Sequence, residues 1–161
     1  MLKTSHEHKP QITLTGISVR TTNRQEAGPQ GLIPELWERY FQSDIASQMD
    51  VRHPHFIYAL YTDYESDATG EYTLLIGHEC SDNSSPIAGL EQVIIPEAQY
   101  IVFETKRGPV QQVVIEAWQE IWRTFEDSTI KRTYSGDFEL YQTSDSNPEE
   151  SVVQIYIAVE S

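Results

Sequence analysis

The 161-residue sequence predicts an α+β fold: two βαββ repeats forming a mainly antiparallel sheet, two helices packed on it, and a cleft between the halves. Gly28-Pro29 returns 80 residues later as Gly108-Pro109. The strand-like tetrad Tyr58-Ala59-Leu60-Tyr61 returns at the same offset as Phe138-Glu139-Leu140-Tyr141. Between these landmarks each half carries an amphipathic stretch. The first runs through Leu32, Ile33, Leu36, Trp37, Tyr40 and Phe41, the second through Val110, Val113, Val114, Ala117, Trp118, Ile121 and Phe125. Repeats that cannot bury their own apolar faces pack on each other and share a groove. One tetrad position breaks the match, because Ala59 becomes Glu139. A carboxylate present in one half only, on a strand beside that groove, is the first functional clue.

The elements follow in order. Met1 to Gln11 is polar and reads as a short frayed lead-in. Ile12 and Leu14 alternate in one phase and Ile17 and Val19 in the other, so a strand with a bulge at Gly16 is expected. Thr21 to Gly28 is polar and reads as a loop. Helix one starts near Pro34, a residue suited to a first helical turn, and its apolar positions recur at three and four. Asp50 to Pro54 breaks the pattern before a strand from Phe56 to Tyr64. Glu65 to Gly70 reads as a hairpin connection into a strand from Glu71 to Glu79. Ser81 to Gly89 joins the halves and is too short to tether independent domains. Leu90 to Ile95 and Tyr100 to Thr105 are extended, and helix two begins at Pro109. A strand at Phe138 to Tyr141, a turn at Asp145 to Glu150 and a closing strand at Val152 to Glu160 complete the second half. One domain over 1–161 is expected, with repeats at about 11–80 and 90–161.

Composition narrows the function. Lys and Arg number 11 against 25 Asp and Glu, for a formal charge of -14. That balance speaks against direct nucleic-acid binding, which relies on clustered cations, and it steers cationic ligands inward. The single cysteine, Cys80, excludes an intrachain disulfide and suits a reducing compartment. No apolar run approaches the roughly 18 residues a membrane span needs. The polar N-terminus lacks the apolar core of a secretory signal. A cytoplasmic location away from membranes is expected.

Strand geometry then singles out Glu139. Alternation puts Asp137, Glu139 and Tyr141 on one face and Phe138 and Leu140 on the other. With Phe138 and Leu140 in the core, Glu139 faces the cleft or water. In a cleft a carboxylate needs a cation or hydrogen-bond donors, and aromatic walls strengthen the hold on a flat cation. Tyr141 shares the face of Glu139, and the repeat sets Tyr61 in the matching position. Trp122 lies at the edge of its helix stripe and suits a pocket wall, with Tyr72 a further candidate. Trp37 and Trp118 lie within the stripes and read as core anchors, as does Tyr58 through its match to Phe138.

The pairs His6/His8, His53/His55 and His78/Cys80 lack any partnering motif, so no metal site and no cofactor are assigned. Cys80 has no evident base beyond His78. Neither a nucleophile elbow nor a phosphate-binding loop is present, and no catalytic residue is assigned.

Several stretches, in order, carry a resemblance: Gly16-Ile17-Ser18-Val19-Arg20, Ile33-Pro34-Glu35-Leu36-Trp37 and Tyr61-Thr62-Asp63-Tyr64-Glu65-Ser66-Asp67. Pro96-Glu97-Ala98-Gln99-Tyr100-Ile101-Val102-Phe103, Gly108-Pro109 and Asp137-Phe138-Glu139-Leu140-Tyr141 follow. Together they resemble the GyrI-like, AraC-type effector-binding domain family, and its stand-alone integron-associated members most closely. The resemblance implies a ligand cleft between the halves, with Glu139 pairing a cationic, often aromatic, ligand there. Relatives often carry Trp near the end of the second helix, where this chain has Thr124-Phe125. It implies a stand-alone sensor or multidrug-binding protein linked to transcription regulation, whose signal passes through a protein partner or homodimer. Two alternatives accompany it. One is a hydrolase acting on a reactive small molecule with Glu139 orienting water, and the other a gyrase-interacting inhibitor whose acidity mimics DNA.

Overall fold

The computed structural model describes residues 2–43, 56–66, 69–80, 89–142 and 150–160. Eight strands and three helices follow one another: β1 (Lys3–Lys9), β2 (Ile12–Thr22), α1 (Asn23–Glu26), α2 (Ile33–Ser43), β3 (Phe56–Thr62) and β4 (Glu71–Glu79). They continue with β5 (Glu91–Ile95), β6 (Ala98–Glu104), α3 (Val110–Glu126), β7 (Asp137–Gln142) and β8 (Gln154–Val159). The strands form one sheet in the order β1-β6-β8-β7-β3-β4-β2-β5, with every pairing antiparallel. The fold is α+β, as the sequence predicts.

The strand order displays the duplication. Outward from the central β3–β7 pair, one side runs β7, β8, β6, β1 and the other β3, β4, β2, β5. Each half lends its first strand to the outer edge of the other half. The lead-in expected to fray is therefore strand β1, paired with β6 from Lys3↔Glu104 to Lys9↔Ala98. Its signal was invisible because nearly all its side chains are exposed. Such a strand is held by backbone hydrogen bonds, and its charged residues suit an unprotected edge.

The expected bulge at Gly16 is absent. The β2–β4 register runs unbroken from Leu14↔Glu79 to Thr22↔Glu71. The change of phase has another cause: Ile12 and Leu14 feed the core on one sheet face, while Ile17 and Val19 feed the core on the other. Gly16 faces Gly77 instead, and a Cβ on Gly16 would sit 2.1 Å from the Ile76 carbonyl oxygen. Glycine is required there for close backbone approach.

Part of the expected loop at 21–28 is the short helix α1, capped by Thr22, whose hydroxyl accepts from the Gln25 amide at 3.0 Å. Its last residue, Glu26, accepts from the Leu32 and Ile33 amides at 2.9 and 3.0 Å and so caps α2. Pro34 lies in the first turn of α2, and Pro109 immediately precedes α3. Val113, Ala117 and Ile121 form the buried stripe of α3. The breaks expected at 50–54, 81–88 and 145–149, the metal pair His53/His55, and residues 67–68 of the hairpin connection lie outside the described residues.

Both helices lie on the same sheet face. The α2 cluster gathers Leu36, Ile57, Ala59, Leu74 and Ile76, and the α3 cluster gathers Ala117, Ile121, Ile101, Ile155 and Ile157. Tyr141 packs against both. The opposite face closes on Phe138, which stacks on Tyr156 and meets Tyr58 and Tyr100. That face is curled, since Ile95 of edge strand β5 reaches the Cα of Gly136 beside central strand β7. Among the described residues no helix is long and apolar enough to cross a membrane.

Candidate functional site

Strand β7 sends Phe138 and Leu140 into the aromatic core and leaves Glu139 and Tyr141 on the helix-bearing face. Directly across the central pair, Glu139 faces Ala59. Glu139 is 3% exposed. Its ligands are three neutral donors. Tyr61 Oη and Trp118 Nε1 donate to Oε2 at 2.8 and 2.7 Å, and Tyr141 Oη donates to Oε1 at 2.5 Å. Burial pushes the Glu139 carboxyl above its ordinary value, and the hydrogen bonds from Tyr141, Trp118 and Tyr61 only partly oppose that. The same burial, reinforced by the carboxylate, raises Tyr61 and Tyr141 well above the usual phenol range. Both phenols stay protonated and keep donating.

Above the carboxylate lies a cavity of about 700 Å³, lined from both helices and from β3 and β7. Its walls repeat the duplication. Trp118 of α3 meets Tyr61 edge-on at 5.2 Å, and Trp37 of α2 meets Tyr141 edge-on at 5.1 Å. Tyr72 packs against Tyr61 and donates to Asn23 Oδ1 at 3.0 Å. Trp122 is 39% exposed at the rim and lies tilted against Trp118. Glu139, Tyr141, Tyr61, Tyr72 and Trp122 are thus brought to one cavity.

Two residues read as core anchors belong to its lining instead. Trp37 and Trp118 sit where the helix stripes run out over the cleft. A stripe residue there can pack on the sheet with one ring edge and present the other to the cavity. For Trp118 the indole N–H is the decisive atom. The Trp/Tyr match between repeats was a usable signal for both. Tyr58 does pack in the core, as its match to Phe138 implied.

A second polar cluster borders the cavity and had no sequence signal. Asp137, fully buried, accepts from Arg132 Nη2 and Tyr64 Oη at 2.7 Å each on Oδ2, and from the Ala158 amide at 2.8 Å on Oδ1. The Arg132 guanidinium lies 4.4 Å from the Tyr134 ring centre. Arg132 and Tyr64 line the cavity. The contact joins residues five apart through a non-helical segment, which no periodicity reports.

The histidine pairs take other roles. His78 is buried with Nδ1 on the Phe56 carbonyl at 2.9 Å and Nε2 on Tyr40 Oη at 2.6 Å. Burial lowers its basicity, so the ring is neutral, donating from Nδ1 and accepting the Tyr40 hydroxyl at Nε2. Cys80 is buried against Thr15. His6 and His8 lie on edge strand β1, where His8 meets Glu97 at 3.0 Å. Among the described residues no three His, Cys, Asp or Glu side chains gather to hold a metal.

Comparison with known proteins follows the geometry. The model of the integron-associated effector binding protein family matches residues 7–159. Over 145 residues the chain is 32% identical to the Bacillus subtilis (strain 168) protein YobU, named as a candidate transcriptional regulator, with 89% of each covered. It is 33% identical to the integron cassette protein VCH_CASS2 from the mobile metagenome of Vibrio cholerae, at a TM-score of 0.76, covering 98% of this chain and 95% of that one. SAV2435, solved bound to tetraphenylphosphonium, is 24% identical at a TM-score of 0.80, covering 99% of this chain and 94% of that one.

Proposed function

The chain belongs to the integron-associated effector-binding protein family, whose members bind small molecules, and on that premise we propose that its ligand is a lipophilic, aromatic cation held between α2 and α3 against Glu139. One observation carries the reading. Glu139 is buried at the floor of an aromatic cavity, and among the described residues its partners are neutral. A buried carboxylate without a cation is costly, and a cation entering the cavity offsets that cost. Three donors hold the carboxylate in place, so the incoming charge needs no N–H of its own. Tyr61, Tyr141, Tyr72, Trp37, Trp118 and Trp122 supply ring faces and edges for an aromatic guest. The tetraphenylphosphonium held by SAV2435 is a cation of this type. A net charge of -14 favours its approach.

Such a protein acts as a stand-alone sensor or sequestering agent, passing its state to a protein partner or a second copy. The test uses the three tryptophans, all of which line the cavity. Titration with tetraphenylphosphonium should quench their fluorescence saturably, while neutral triphenylphosphine oxide should bind at least about tenfold more weakly. Equal binding of the two, or no response to either, refutes the reading.

A further inference from the structure

We propose that the cavity contains a second subsite at Arg132, so that the ligand is a lipophilic cation that also carries a neutral hydrogen-bond acceptor, a carbonyl or ether oxygen. The proposal rests on the cation-binding reading above and refines the ligand class. Among the buried side-chain nitrogen and oxygen atoms of the described residues, Arg132 Nε has no hydrogen-bond partner. Buried polar groups are almost always paired, and a guanidinium N–H is among the costliest to leave bare. The Arg132 side chain is 5% exposed, so bulk water does not serve it.

The guanidinium is also fixed in direction. Nη2 is held by Asp137, and the group sits against Tyr134 and, at 5.9 Å, Phe125. A planar fork clamped this way cannot turn Nε–H toward another protein acceptor. Arg132 borders the same cavity as Glu139, so an occupant of that cavity is the natural acceptor.

Charge decides the kind of acceptor. Asp137 already neutralises Arg132, and Glu139 stands two residues along the same strand face. An anionic group would meet two carboxylates and one guanidinium, whereas a neutral oxygen meets only the N–H dipole. The alternation of β7 separates Asp137 and Glu139 by about 7 Å, which sets the spacing between acceptor and cationic centre.

The experiment compares three triphenylphosphonium probes by tryptophan quenching of the intact chain: one with a 4-methoxy-4-oxobutyl arm, one with a hexyl arm of matched length, and one with a 4-carboxybutyl arm. The ester should bind about tenfold more tightly than the hexyl probe, against the order of hydrophobicity, and the carboxylate most weakly. Arg132→Lys keeps a cation for Asp137 but has no Nε, and should collapse the ester-to-hexyl ratio to about one whatever the absolute affinities. Hexyl binding equal to or tighter than ester overturns the subsite alone. A carboxylate that binds tightest overturns the choice of a neutral acceptor. Binding of none of the three overturns the cation-binding function and the subsite with it. If Arg132→Lys fails to fold, the ranking on the unaltered protein decides the matter.

Discussion

Ala59 and Glu139 face each other across the two central strands, and they occupy the same position of the two repeats. Under an offset of 80 residues, theirs is the one register pair of β3 and β7 that joins equivalent positions. The approximate two-fold axis of the duplication therefore passes between them. Symmetry fails there for a physical reason. Two glutamates would set like charges face to face on adjacent strands, and two alanines would leave the cavity without a charge. One of each gives a single carboxylate on the axis, within reach of tyrosines from both halves.

Restoring symmetry should therefore unfold the centre of the molecule. Ala59→Glu is expected to destabilise the protein by about 3 kcal/mol at pH 7, with a smaller loss at pH 5 as one carboxyl takes up a proton. The exchange Ala59→Glu with Glu139→Ala should recover most of that loss, because Tyr61, Tyr141 and the matching Trp37 surround the axis from the other side. Urea melts of the three variants decide this. An exchange variant as unstable as the single variant refutes the axial argument.

Removing the charge alone should separate binding from stability. Glu139→Gln is expected to weaken tetraphenylphosphonium binding by about 1 to 3 kcal/mol, while a neutral analogue changes little. The empty variant should melt at or above the temperature of the parent at pH 7, because a buried unpaired charge is gone. Parallel losses in affinity and melting temperature would mean that Glu139 holds the fold instead.

The pH dependence has a defined sign. Burial raises Glu139 above the ordinary glutamate value of 4.5. Its contribution to stability is thus fully present below the unfolded value and lost as pH rises through the raised folded one. Cation binding runs the other way, since it favours the ionised form. Affinity for tetraphenylphosphonium, which does not titrate, should fall as pH drops through the raised value, and Glu139→Gln should flatten the profile. A profile unchanged by that substitution would assign the titration to another group.

Trp118 should act through its N–H as well as its ring. Trp118→Phe keeps an aromatic wall but removes one of the donors to Glu139. The carboxyl should rise further, moving the midpoint of the binding profile to higher pH, with little loss of stability. Phe138→Ala, by contrast, empties the other core face and should cost about 3 to 5 kcal/mol in a urea melt. A Trp118→Phe variant with an unmoved midpoint would leave the indole as wall alone.

Local pattern determined a good part of this protein. The 80-residue repeat and the alternation of β7 led to two helices on an antiparallel sheet, and to Glu139, Tyr141 and Tyr61 on one face. The stripes of α2 and α3 placed the helices, because burying one side of a helix leaves a period in the sequence. The helix-bound tryptophans were legible as buried but not as cavity walls, since periodicity gives the face and not what lies opposite it. Strand β1 escaped because its partner is 95 positions or so away and its bonds are backbone bonds, which any polar sequence can make. The Arg132–Asp137–Tyr64 cluster and the capping of α2 by Glu26 escaped for a related reason: each depends on the path of irregular chain between elements. Tertiary structure alone set Glu139 on the axis opposite Ala59, because only the pairing of the two halves brings equivalent residues face to face.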